Sequence, residues 1–175
     1  MRLGWTAAVI ALVGAALLAP TSAPGASSRA VLRLDGIGPL HLGMTRTAAL
    51  ATGWLAQRGS GCELGGRPFP ITYRFTGRKA PHGVAGFAEF QHGKLTDLSF
   101  TRGVRTSTGV TVGRTKTTRM VTRYRQAGFS ASARFEEVFQ GTFVTVKRDG
   151  DQVVGGFGEH GVITMVAIPG IAVCE

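Results

Sequence analysis

"LHLGMTRTAAL" (residues 40–50) returns about seventy residues later as "VTVGRTKTTRM" (residues 110–120). With Gly43 set over Gly113, the residues Leu40, Leu42, Thr45, Arg46, Thr47, Leu50 and Thr52 fall on Val110, Val112, Thr115, Lys116, Thr117, Met120 and Thr122. Each copy opens with alternating apolar residues, the period of a short strand. A glycine then permits a sharp turn, and a threonine stands where its hydroxyl would cap the amides of a following helix. The spacing predicts a helix over 46–56 that buries Leu50 and Trp54. It predicts a second over 116–126 that buries Met120, Val121 and Tyr124. Gly43, Thr45, Gly113 and Thr115 are thus read as the structural motif of a repeat.

A second pair of stretches supports the first. "EFQHGKLTDLSF" (89–100) resembles "GFGEHGVITMVAI" (156–168), with His92-Gly93 over His160-Gly161. Both read as hairpins with the glycine in the turn, and Asp149-Gly150 marks one more. Strands are expected at 71–75 and 84–90 in the first copy, and at 143–147 and 153–157 in the second. The expected fold class is α+β: two tandem repeats, each a short strand and helix followed by an antiparallel meander, with helices packed on the sheet. The repeats would span 31–104 and 105–175 and form one compact module. "TRGVRTSTG" (101–109) reads as their connector. Two copies at this period are too few and too long for a solenoid.

The first residues, MRLGWTAAVIALVGAALLAPTSAPGASSRA, place one Arg2 before an apolar run and a small-residue exit. That order is the form of a secretory signal over residues 1–26, with cleavage expected between 23 and 30. The run is shorter than the roughly 20 apolar residues of a comfortable span, so an N-terminal membrane anchor is the alternative. A secreted, extracellular or wall-associated protein follows. Cleavage near Ala26 leaves roughly 150 residues, enough for one real core. Cys62 and Cys174, the two cysteines of the chain, then read as a disulfide closing a long loop. A nucleophilic Cys62 is the rival, and no local motif supports it.

The 20 basic residues outnumber the 10 acidic ones, giving a net charge of +10. Between Leu98 and Phe135 no acid occurs, while Arg102, Arg105, Arg114, Lys116, Arg119, Arg123, Arg125 and Arg134 do. On a helix Lys116, Arg119 and Arg123 fall at i, i+3 and i+7 and share one face, where like charges repel mildly. Guanidinium groups favour bidentate phosphate or carboxylate contacts. Arg114, Lys116, Arg119, Arg123 and Arg125 are therefore the candidate binding face. Its partner would be a cell-wall or lipid polyanion, or an unidentified extracellular protein. The plain alternative is a solvated basic face. Nucleic acid is not expected in an exported chain, and no stacking-platform pattern interleaves aromatics with the basic residues.

Patterns of catalysis are missing from the sequence. "GFSAS" (128–132) lacks the closing glycine of a serine-hydrolase elbow, and neither a phosphate loop nor H-E-x-x-H occurs. Glu136 and Glu137 are adjacent and would point to opposite faces of a strand. His92 and His160 precede glycines in expected turns, which explains them without a metal or catalytic role. A non-enzymatic protein without cofactor or metal is the expectation.

"GIGPLHLGMTRTAALATG" (36–53) followed by "GVRTSTGVTVGRTKTTRMVTRY" (103–124) resembles uncharacterised secreted actinobacterial proteins with two diverged glycine-x-threonine repeats. More distantly the motif resembles the repeats of the β-lactamase inhibitory protein and the small lipoprotein of the outer-membrane barrel assembly machine. The resemblance implies helices on an antiparallel sheet and a role in binding proteins. Function is thus expected to be that of a secreted binding module working through the basic helix. An inhibitor-type or other protein-interaction module using its sheet face comes second, and an enzyme of unrecognised type third.

Overall fold

A computed structural model describes residues 30–61 and 67–171. The signal stretch 1–26, Cys62 and Cys174 lie outside the described residues. In chain order the elements begin with β1 (Ala30–Leu32), β2 (Gly36–Ile37), β3 (Leu40–His41), α1 (Arg46–Ala51), β4 (Ala56–Ser60), β5 (Ile71–Arg74), β6 (Ala85–Gln91) and β7 (Lys94–Arg102). They continue with β8 (Val104–Thr106), α2 (Thr117–Gln126), β9 (Ser130–Glu136), β10 (Gly141–Arg148), β11 (Asp151–Glu159) and β12 (Val162–Ile168).

The strands form two sheets. The larger has eight strands in the order β4-β5-β6-β7-β12-β11-β10-β9, all neighbours antiparallel. The smaller runs β3-β2-β1-β8, with β1 and β8 parallel. One apolar core fills the space between them. It takes Leu32, Ile37, Leu40 and Val104 from the small sheet, Met120 and Tyr124 from α2, and Phe90, Leu98, Phe100, Val144, Ile163 and Val166 from the large one.

This corrects the expected α+β class with helices packed on the sheet. Half of the described residues lie in strands and 12% in helices, so the fold is mostly β with two sheets. Three causes account for the difference. The helix expected over 46–56 stops at Ala51, because Thr52-Gly53 turns the chain, Gly53 having φ +74°. Two strands, β4 and β9, are built from small and polar residues that carry no strand signal in the sequence. The expected connector 101–109 contains β8, whose parallel pairing with β1 joins residues far apart in the chain.

Three hairpins of the large sheet close through two-residue turns, His92-Gly93, Asp149-Gly150 and His160-Gly161. In each turn both residues have positive φ (+50° and +74°, +53° and +93°, +49° and +77°). That is the turn whose twist matches paired strands, and it favours Asn, Asp, His and Gly. Seam strands β7 and β12 pair Leu98 with Ile168, Ser99 with Ala167 and Phe100 with Val166. Because they run antiparallel, His92 and His160 lie at opposite ends of the sheet and cannot converge.

The two glycine turns do the same job at different places. Gly43 (φ +81°) donates its N–H to the Leu95 carbonyl at 2.7 Å, and Leu95 N–H returns to Met44 at 2.8 Å. Gly113 (φ +76°) donates to Ile163 at 2.7 Å, and Ile163 N–H returns to Thr115 at 2.8 Å. Each turn thus pins the start of a helix to the first residues of a hairpin strand.

Candidate functional site

Helix α2 carries the charge pattern singled out in the sequence. Its N-cap is Lys116, with no side-chain hydrogen bond, so the expected threonine cap is corrected here. Instead the Thr115 hydroxyl accepts the Thr111 N–H at 2.8 Å and closes the preceding turn. In α1 the cap is Thr45, whose hydroxyl accepts the Ala48 N–H at 3.3 Å. The second copy has one more residue between its glycine and its helix, and this moves the threonine out of the cap position.

Met120 and Tyr124 face the core and fix the rotation of α2. The Tyr124 hydroxyl meets Thr108 and Thr106; burial pushes its titration above the ordinary phenol value, and those two hydrogen bonds pull it back. The opposite side of the helix is polar. Lys116, Thr118, Arg119, Thr122, Arg123 and Gln126 line an open groove of about 460 Å³ along it.

The five sequence-predicted residues divide into two kinds. The Arg123 guanidinium donates to the Gly109 carbonyl, and the Arg125 Nε donates to the Ala131 carbonyl at 2.8 Å. Arg125 therefore satisfies a backbone acceptor on β9, the edge strand of the large sheet, and blunts that edge. Arg114, Lys116 and Arg119 are exposed. Among the described residues the ion pairs are His41–Asp35 at 3.7 Å and Arg134–Glu136 at 2.7 Å, and neither involves α2.

Sequence reasoning about the helix missed Arg105 of β8. Its guanidinium nitrogen comes within 3.2 Å of the point a Cβ on Gly109 would occupy, and the Arg123 guanidinium within 3.0 Å of the same point. Two guanidinium groups therefore converge on one glycine, with no acid among the described residues paired to either. Arg105 sits in the polar stretch 101–109, where no local pattern distinguishes it; only the fold brings it to α2.

No group of three or more potential metal ligands occurs among the described residues. No helix among them is long and apolar enough to cross a membrane. No family model, curated protein or solved structure matches the chain.

Proposed function

We propose that this chain is a non-enzymatic binding module that takes an anionic partner of the cell envelope, such as a wall or lipid polyanion, on the outward face of α2. The observation that carries the reading is the basic row Lys116, Arg119 and Arg123, widened by Arg105 and unpaired with any described acid. Like charges gathered on one side of a helix repel one another, and an anionic partner reverses the sign of that energy. Tyr124 anchors the helix from beneath, and Arg123 ties it to the Gly109 carbonyl. The signal stretch, which lies outside the described residues, would bring the protein to that partner.

The test is cosedimentation with isolated cell walls and with vesicles rich in anionic lipid. It is run at about 0.01 M and about 1 M salt, where the screening length falls from roughly 30 Å to 3 Å. Binding that is lost at high salt and in Lys116→Glu/Arg119→Glu supports the proposal. Equal pelleting of that variant, or no pelleting at low salt, overturns it.

A second reading, a protein partner on the sheet, has its own observation. Phe139, Phe143 and Phe157 form a half-buried aromatic group, with ring centroids 5.5 Å and 4.9 Å apart. Phe143 and Phe157 are cross-strand neighbours on the side away from Val144, which lies in the core. A salt-tolerant one-to-one complex abolished by Phe143→Ala would favour it.

A further inference from the structure

On the face of the large sheet turned away from the core lies a second polar feature, unrelated to α2. Glu89 of β6 and Asp97 of β7 are directly opposed cross-strand neighbours, and both are buried, at 9% and 7% exposure. The Ser99 hydroxyl donates to Asp97 Oδ1 at 2.7 Å. After β12 the chain does not leave the sheet. Pro169, Gly170 and Ile171 lie back over it and, with Glu89, Gln91, Thr96, Asp97 and Gln152, line a cleft of about 400 Å³. The strap passes so close to β11 that a Cβ on Gly155 would stand 2.6 Å from the Ile171 backbone nitrogen.

Two opposed carboxyl groups under cover cannot both ionise cheaply. Burial pushes Asp97 from its ordinary 3.8 up to about 7; the Ser99 hydrogen bond lowers it and the neighbouring Glu89 raises it further. From β6 the charged group facing Asp97 is Glu89. From β12 and the strap the neighbours are Ala167, Pro169, Gly170 and Ile171, which carry no titratable side chain, and β11 contributes the neutral Gln152. On β5, Thr72 stands opposite Glu89, and Arg74, on the same side, lies one pair further on.

The fold itself does not need these acids. The two hairpins β6–β7 and β11–β12 match in register when aligned turn on turn, and each carries a register shift, between Glu89 and Phe90 and between Phe157 and Gly158. At each shift a threonine hydroxyl bonds across the strands: Thr96 to the Glu89 carbonyl at 3.3 Å, and Thr164 to the Phe157 carbonyl at 3.4 Å. In the second hairpin the positions of Glu89 and Asp97 are Phe157 and Met165, which also pair. The same geometry is met there with apolar side chains, so the carboxyl groups serve something other than the sheet.

We propose that Asp97 is the proton-held catch of the strap. With its carboxyl neutral, residues 169–171 lie across the sheet; with it ionised, the strap lifts and water reaches the acid pair. The protein thereby exposes an anionic patch on one face of its sheet in neutral surroundings and hides it in acidic ones.

The experiment is a nuclear magnetic resonance titration of the full mature chain from about pH 5 to about pH 9, following the Asp97 carboxyl carbon and the Gly155 and Ile171 amides. The amides are expected to move with the Asp97 midpoint in the native chain and to be flat in Asp97→Asn. In Gly155→Ala the added methyl displaces the strap. Linkage then requires the Asp97 midpoint to fall toward the ordinary carboxylate range. Strap amides that ignore pH while Asp97 titrates overturn the proposal, as does an unchanged amide midpoint in Asp97→Asn. If that variant fails to fold, the Gly155→Ala arm decides: a lifted strap with the Asp97 midpoint unmoved overturns it.

Discussion

The two hairpins that meet at the β7–β12 seam share a backbone plan and differ in where they place bulk. In the first, β6 presents Ala88 and Phe90 to the core and the short helix α1 offers Ala49. In the second, the matching positions of β11 are Gly156 and Gly158, and α2 brings Met120 and Thr117 over them. A Cβ on Gly156 would meet the Met120 sulfur at 2.7 Å, and one on Gly158 the Thr117 methyl at 2.3 Å. One half is large on the sheet and small on the helix; the other is the reverse. Each core is filled, but a residue moved between them fits neither.

That contrast makes the sharpest prediction. Phe90→Ala leaves a void in a packed core and should cost about 3–5 kcal/mol. Gly158→Phe, which imports the residue of the first hairpin into the second, should cost at least about 3 kcal/mol, because the Thr117 methyl and the Val162 carbonyl already occupy the space. Urea unfolding of both variants measures this. Native-like stability in Gly158→Phe would mean that the halves are interchangeable and the comparison empty.

The acid pair supplies the next largest effect, and it depends on pH. Below about pH 4 both folded and unfolded Asp97 hold the proton. Between about 4 and about 7 only the folded chain does; above that neither does. The folded state therefore gains from Asp97 at acid pH, and stability falls as pH rises through this window, by on the order of a few kcal/mol. Glu89→Phe/Asp97→Met, which copies Phe157 and Met165, should fold and lose this slope. Thermal melts across the pH range read it directly. An unchanged slope in the double variant would place its origin elsewhere.

Much of this was legible in the sequence, and what was not has physical causes. Positions 92–93, 149–150 and 160–161 announce their turns because few residues other than His, Asp and Gly accept positive φ there at low cost. Met120 and Tyr124 follow helical periodicity and are buried. By contrast, Ser130, Ala131, Ser132 and Ala133 form an edge strand through pairing with β10 and not through any propensity of their own. Arg105 reaches Arg123 because the turn after β8 brings Gly109 back beside it and α2 ties Arg123 to that same glycine, and Asp97 is covered only because the chain turns back after Ile168. Contacts made by distant segments leave no local pattern to read.

The smallest stability effects separate the two kinds of arginine on α2. Arg125→Ala removes the donor to the Ala131 carbonyl and uncovers an edge-strand acceptor, which should cost about 1 kcal/mol. Arg119→Ala touches nothing in the fold and should change stability by no more than about 0.5 kcal/mol. If α2 is a binding face, the order reverses for affinity. Arg119→Ala should weaken polyanion binding several-fold and flatten its salt dependence, while Arg125→Ala leaves it nearly native. The corresponding helix of the first copy, Arg46–Ala51, has a single basic residue and no such row. A binding function would then be confined to the second copy, whose helix starts one residue later after its glycine and carries the basic outer face. Equal small losses of affinity from both substitutions would return the basic row to the role of a solvated surface.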